Sequence, residues 1–202
     1  MKIYNITDTE FRDYGTILDI DVSEIMAVAE KIAMPESGSA YELSRPDFEE
    51  LDIVKEIELK YFGGIKTQTG YCYGRANRMD ALEWHKNSEI NIAVTDMILL
   101  LGKVQDVKDG RYDSANVKAF KVPKGAAIEV YATTMHFCPI NTEDSGFGCV
   151  VILPVGTNAV LEQKSPDKLL FKTNKWLIAH EGNTALIEKG VYPGIYGENY
   201  EF

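Results

Sequence analysis

The chain has 202 residues, 45% hydrophobic and 26% charged, with a formal net charge of −10. This is the composition of a globular domain able to bury a core of its own. The acidic balance argues against a phosphate backbone as partner, because there is no basic excess to release counterions. It leaves room for a small anionic substrate met by a local Lys or Arg.

Cys72, Cys138 and Cys149 form an odd set without metal-finger spacing, which argues against a disulfide framework and for a reducing compartment. The first ten residues carry no apolar run long enough for a leader or a membrane span. A single cytoplasmic domain is therefore expected over 1–202. Its parts are N-terminal strands and a helix (1–62), a barrel core (63–155), and C-terminal strands with a tail (156–202).

In chain order, residues 2–6 alternate as a short strand, and Tyr14 to Leu18 reads as a second. Asp21 with Glu24 has capping-box spacing. Ile25, Val28, Ala29, Ile32 and Ala33 follow at helical intervals, predicting an amphipathic helix over 22–34. Residues 47–52 read as a helical turn or loop. The alternation in Glu56-Ile57-Glu58-Leu59-Lys60-Tyr61 predicts a strand closed by Gly63-Gly64.

From residue 65 onward the pattern becomes short strands between turn signals. They are placed at 65–74, 80–85, 89–94, 97–102, 117–122, 126–131, 134–138, 147–153 and 168–173, with a further candidate at 176–180. Regular short strands of this kind predict a mainly β fold, a jelly-roll β-barrel or sandwich. The tail from Gly190 to Phe202, rich in glycine, proline and aromatics, is expected to wrap over it as an extended segment.

Two segments carry chemistry. In Glu83-Trp84-His85-Lys86-Asn87-Ser88-Glu89, Glu83 and His85 point to one face of a strand, and a polar tripeptide can turn the chain back to Glu89. His136, in Met135-His136-Phe137-Cys138-Pro139, can arrive from another strand. Two carboxylates and two imidazoles meeting inside a barrel make a four-ligand N/O site for a divalent metal: Mn, Fe, Zn or Ni. The alternative is that Glu83 and Glu89 are solvated carboxylates beside a turn, with His85 half-buried against Trp84.

Tyr71, Tyr73 and Arg75 alternate just before this segment. On an inward face they and Trp84 would bind substrate, with Arg75 as a fork for a carboxylate or phosphate. On the outward face they are surface aromatics with a charge. Lys118 and Lys121 face opposite ways, so at most one points inward. His180 reads as a strand-end histidine. No nucleophile elbow, Walker motif or dinucleotide fingerprint occurs.

The Glu83-x-His85-(x)3-Glu89 pattern with a later His136 resembles the two motifs of the cupin superfamily, with glutamate in place of the leading histidine; Asn141 lies near an Asn position of the second motif. The order of Glu83-Trp84-His85, Ser88-Glu89, Lys118-Ala119-Phe120, Pro123-Lys124-Gly125 and Thr134-Met135-His136 is also similar to ureidoglycolate lyases. Glu89 stands where those enzymes have Gln, and Trp84 where they have Arg. The length of the whole chain resembles uncharacterised bacterial cupins.

The resemblance implies a cupin-like barrel with an N-terminal helix and a wrapping C-terminal extension. It implies a metal held by Glu83, His85, Glu89 and His136, with Glu83, His136 and Lys118 as candidate catalytic groups. The implied reaction is isomerisation, epimerisation or lyase cleavage of a small hydroxy-carbonyl metabolite such as a sugar or sugar acid. A non-catalytic small-metabolite-binding cupin is the alternative for function, and a homodimer is expected for assembly.

Overall fold

A computed structural model describes residues 1–202. Its centre is an antiparallel six-stranded sheet in the order Gly15–Leu18, Ala127–Val130, Glu89–Ala93, Phe147–Pro154, Thr67–Gly74 and Ser39–Glu42. Facing it is a second sheet. There Met97–Lys103 pairs with Lys118–Val122, Thr134–Met135 and Ile140–Asn141, and Ile3–Asn5 adds in parallel to Lys118–Val122. A third sheet joins Leu170–Lys172, Lys175–His180, Tyr192–Tyr196 and Tyr112–Asp113, and Ala81–Trp84 pairs antiparallel with Lys175–His180. Long-range antiparallel pairing between curled sheets gives the mainly β jelly-roll architecture.

Alternation along individual strands decides what lies between the layers. In Glu89–Ala93, Ile90 and Ile92 pack outward against Ile25, Phe48, Val54 and Ile57 of the helical layer. Residues 89, 91 and 93 turn to the lumen, where Ala93 meets Leu99, Phe120, Phe147 and Cys149. Met97–Lys103 divides the same way: Met97, Leu99 and Leu101 point to the lumen, and Ile98 and Leu100 to a third cluster with Leu82, Trp84 and Ile178. Both faces are covered, so these strands read as nearly continuous apolar runs.

The expected strand at 56–61 is a helix, Asp52–Tyr61. Val54 and Ile57, three apart, are buried together, whereas Leu59 is 72% exposed. The period-2 alternation in this short segment was incidental, and the helical period of the buried positions prevailed. Glu58 ties this helix to the sheet: its carboxylate accepts from the Thr67 backbone N–H at 2.8 Å and pairs with Lys66 Nζ at 2.8 Å.

The first helix is shorter than its pattern, Ser23–Ala29. Asp21 does accept from the Ser23 N–H at 3.0 Å, but Glu24 makes no reciprocal bond, so no capping box forms. A short helix, Pro46–Glu49, starts with proline at its first turn, where the missing N–H costs nothing. The tail behaves as the sequence suggests. Tyr192–Tyr196 extends the third sheet, and the Met79 N–H donates to the Tyr200 carbonyl at 3.1 Å. No helix is long and apolar enough to cross a membrane.

Candidate metal centre

Backbone pairing brings the two chemical segments together. Glu83 and His136 form an antiparallel bridge: the Glu83 N–H donates to the His136 carbonyl at 2.6 Å, and the His136 N–H to the Glu83 carbonyl at 2.9 Å. Residues that exchange both bonds present side chains to the same face. His85, two residues past Glu83, shares that face. Glu89 opens the central strand and reaches in from the opposite sheet.

The Nε2 atoms of His136 and His85 lie 3.3 and 3.4 Å from Glu89 Oε2. Glu83 Oε1 is 4.0 Å from His136 Nε2. Donor atoms at about 2.0–2.2 Å from an ion are separated from one another by about 3.0–3.5 Å, so the spacing around Glu89 is that of a coordination shell.

The imidazoles are oriented for ligation. His85 Nδ1 meets the Asn174 carbonyl at 2.7 Å, and His136 Nδ1 meets the Thr134 carbonyl at 3.4 Å. A carbonyl can only accept, so each Nδ1 carries a hydrogen, and in the neutral ring that a metal requires each Nε2 presents its lone pair. Both Nε2 atoms are buried, and neither has a hydrogen-bond partner. Unsatisfied buried acceptors are costly; two aimed at one point fit a cation, and Glu83, His85 and His136 can each place a ligand atom within 4.8 Å of the others.

Burial would push the Glu89 carboxyl up. The attraction of His136, with His85 beside it, outweighs this and holds the group well below the usual carboxylate range. Burial likewise depresses His136, but the charges of Glu89 and Glu83 overcome this and raise it. The Asn91 amide fixes Glu89 by donating from Nδ2 to Oε1 at 2.6 Å.

Residues 3–200 match the model of the family described as "Domain of unknown function (DUF4867)". The chain belongs to this family.

No curated protein matches the DUF4867 chain. Similar solved structures include an oxalate decarboxylase at 11% identity and TM-score 0.38, covering 62% of this chain and 28% of the other. A Bacillus subtilis oxalate decarboxylase with Mn(II) centres gives 11% identity and TM-score 0.35, covering 60% and 28%. CapF, solved with 3-isopropenyl-tropolone, gives 12% identity and TM-score 0.37, covering 55% and 28%. The DUF4867 chain thus spans under a third of the length of these proteins, and its fold assignment rests on the strand order and register above.

The four expected ligands converge, but the other expected site residues do not join them. Tyr71 is buried on the helical side of its strand and stacks on Tyr73 with ring centroids 4.6 Å apart. Tyr73 donates its hydroxyl to Glu42 at 2.8 Å. Arg75 holds the Asp144 and Pro35 carbonyls. Cys72, between the two tyrosines, is the residue that faces inward, so the register puts the expected substrate-binding residues on the wrong side.

Trp84, opposite in parity to Glu83 and His85, stacks on Trp176 at 6.3 Å in the outer cluster. Lys118 sits away from the ligands, with Nζ 5.6 Å from the Tyr4 ring and 5.8 Å from the Tyr14 ring. His180 is a satisfied strand-end histidine: Nδ1 accepts from the Gly182 N–H and Nε2 donates to the Gly197 carbonyl. Asn141 accepts from the Ala76 N–H at 2.9 Å and serves a loop.

A cavity of about 230 Å³ opens from the ligand cluster. Asn91, Tyr41, Asn158 and Lys175 give its polar wall, Phe137, Pro139 and Val151 its apolar wall, and all three cysteines border it. Lys175 pairs with Glu83 Oε2. The Tyr41 hydroxyl accepts from Asn158 Nδ2 at 3.3 Å, and burial pushes this phenol above its ordinary value.

Sequence reasoning missed these groups. Asn91 had a usable signal, since it stands two residues after Glu89 on a strand. Asn174 and Lys175 had none, lying nearly ninety residues past His85 in a hairpin. Asn174 adopts φ +54°, a left-handed conformation that Asn tolerates better than most residues. Its side-chain oxygen accepts from the Lys86 N–H at 2.9 Å, locking the turn under His85.

Proposed function

We propose that this chain is a metal-dependent cupin enzyme acting on a small hydroxy-carbonyl metabolite, by isomerisation, epimerisation or lyase cleavage. The observation that carries the reading is the pair of buried, unpartnered Nε2 atoms of His85 and His136, each fixed by a carbonyl on its other nitrogen and both facing Glu89 Oε2. Glu83, His85, Glu89 and His136 would hold the ion. A divalent cation there supplies a Lewis acid for a carbonyl or alkoxide oxygen of the substrate.

The chain's own groups support the rest. Asn91 keeps Glu89 in place, as Asn174 and Thr134 keep the imidazoles, and such outer partners typically matter about 10–100-fold in metal affinity. Tyr41 spends an oxygen lone pair on Asn158, so its proton is free to be donated to an oxygen on which charge develops. A phenol, with an ordinary value of about 10, keeps that proton at neutral pH. Phe137, Pro139 and Val151 limit water on the opposite wall, and the small cavity favours a compact substrate.

Metal analysis of the purified protein, alongside Glu83→Ala and His136→Ala, tests the reading. Stoichiometric metal in the wild type, lost from both variants while their folds persist, is expected. A wild type that takes up no Mn, Fe, Zn or Ni would overturn it. Incubation of the loaded enzyme with small hydroxy-carbonyl compounds in deuterated water then separates proton-transfer isomerisation, which labels the carbon, from cleavage, which yields two products.

A further inference from the structure

Lys175 is the single lysine or arginine of the cavity wall, and His136 is the one imidazole that lines it. It lies one residue before Trp176, which pairs with Trp84, so across the sheet it stands opposite His85. Its side chain is only 13% exposed and pairs with Glu83, with the Phe137 ring 5.8 Å from its ammonium.

The charges then decide what the loaded cavity can accept. The acidic groups lining it are Glu83 and Glu89. A divalent cation drawing both carboxylates cancels their two negative charges, with the imidazoles neutral as ligands. Lys175 is thereby left as a buried positive charge without a partner, an arrangement that is strongly unfavourable until an anion arrives. Tyr41, whose proton is unused by Asn158, can add a hydrogen bond to the same anion.

We infer that Lys175 anchors the anionic group of the substrate, and that the substrate is a small monocarboxylate, a 2-hydroxy or 2-oxo acid, rather than a neutral sugar. The inference rests on the metal-site reading above. It makes Lys175 a specificity-determining residue: Glu83 is its partner in the unloaded cavity and the substrate carboxylate its partner in the loaded one.

Calorimetric titration of the metal-loaded protein with glycolate and lactate, and with the size-matched glycolamide and lactamide, tests this. A metal ion itself prefers a carboxylate to an amide, so the readout is the change in that preference on substituting Lys175. The wild type is expected to favour each acid over its amide at least tenfold more than Lys175→Met does, while Lys175→Arg retains much of the preference. Metal affinity of Lys175→Met should be equal or tighter, because a competitor for Glu83 is gone; a merely structural role would weaken it.

The same preference in Lys175→Met and wild type would overturn the inference, as would failure of the loaded wild type to bind any of the four compounds. Should Lys175→Met not fold, Lys175→Gln gives the same comparison. A wild type that takes up no metal defeats the metal-site reading itself, a result recognisable before any acid is added.

Discussion

Two regions of the same lumen were given opposite chemistry. Around Phe120 the space is filled: the rings of Phe11, Tyr14 and Tyr4 lie 5.4, 5.3 and 5.7 Å from it, and Lys118 and Lys103 lie near the tyrosine faces. Around Glu89 the space is open and polar, with unsatisfied nitrogens and one paired ammonium. Both regions set lysine beside aromatic rings, Lys118 and Lys103 in the first and Lys175 in the second. Lys103 pairs with Asp13 at 2.7 Å and Lys118 forms no direct ion pair, and neither lines the cavity, whereas Lys175 pairs with Glu83 and lines it. The difference teaches that residue type is a weak guide to role in a barrel; what the packing leaves unfilled and unpaired is the better one.

The strongest way to break the contrast is to empty the filled region. Phe120→Ala should cost about 3–5 kcal/mol of stability, read from urea unfolding, without removing the metal ligands. If stability hardly fell, the aromatic region would not be the structural half of the lumen. His136→Ala differs in its readout: metal uptake disappears, and the metal-free protein also loses about 3–5 kcal/mol, because the buried Glu89 carboxylate loses the imidazole that offsets it.

Asn174→Ala sharpens the comparison further. It removes the bond to Lys86 and places alanine at a positive φ, so metal affinity should drop by about 10–100-fold and stability by about 1–2 kcal/mol. Unchanged affinity would show that the turn under His85 does not orient it.

A smaller effect concerns pH. The hydrogen bond from Lys66, reinforced by the Thr67 backbone N–H, holds Glu58 below the usual carboxylate range. A depressed folded-state value means its contribution is present above the unfolded value of about 4.3 and is lost as pH falls through the folded one. Glu58→Gln should therefore cost about 1 kcal/mol near neutrality, and the gap to wild type should close in acid. A gap that stayed constant with pH would exclude this linkage. Lys118→Met, at the half-buried rim of the filled region, should lie within about 0.5 kcal/mol of wild type and leave metal uptake intact.

The class of fold, and the four residues proposed here as ligands, could be read from the amino-acid sequence alone. Period-2 runs between turn residues place most barrel strands within a residue or two of Thr67–Gly74, Glu89–Ala93 and Phe147–Pro154, because strand periodicity and turn chemistry are local. The same local logic put Glu83 and His85 on one face. It failed where a short segment fits two periods, as in Asp52–Tyr61, and where the face of a strand depends on its partners. Tyr71, Tyr73 and Arg75 alternate correctly, yet the helices covering that side of the sheet assign it to the core rather than the cavity.

Which charges meet is set by long-range pairing. Glu83 finds His136 through a backbone bridge across more than fifty residues, and it finds Lys175 through a strand that the spacing of the motif does not mention. Which groups a low-dielectric cavity leaves unpaired depends on every wall at once, and no stretch of sequence contains more than one wall.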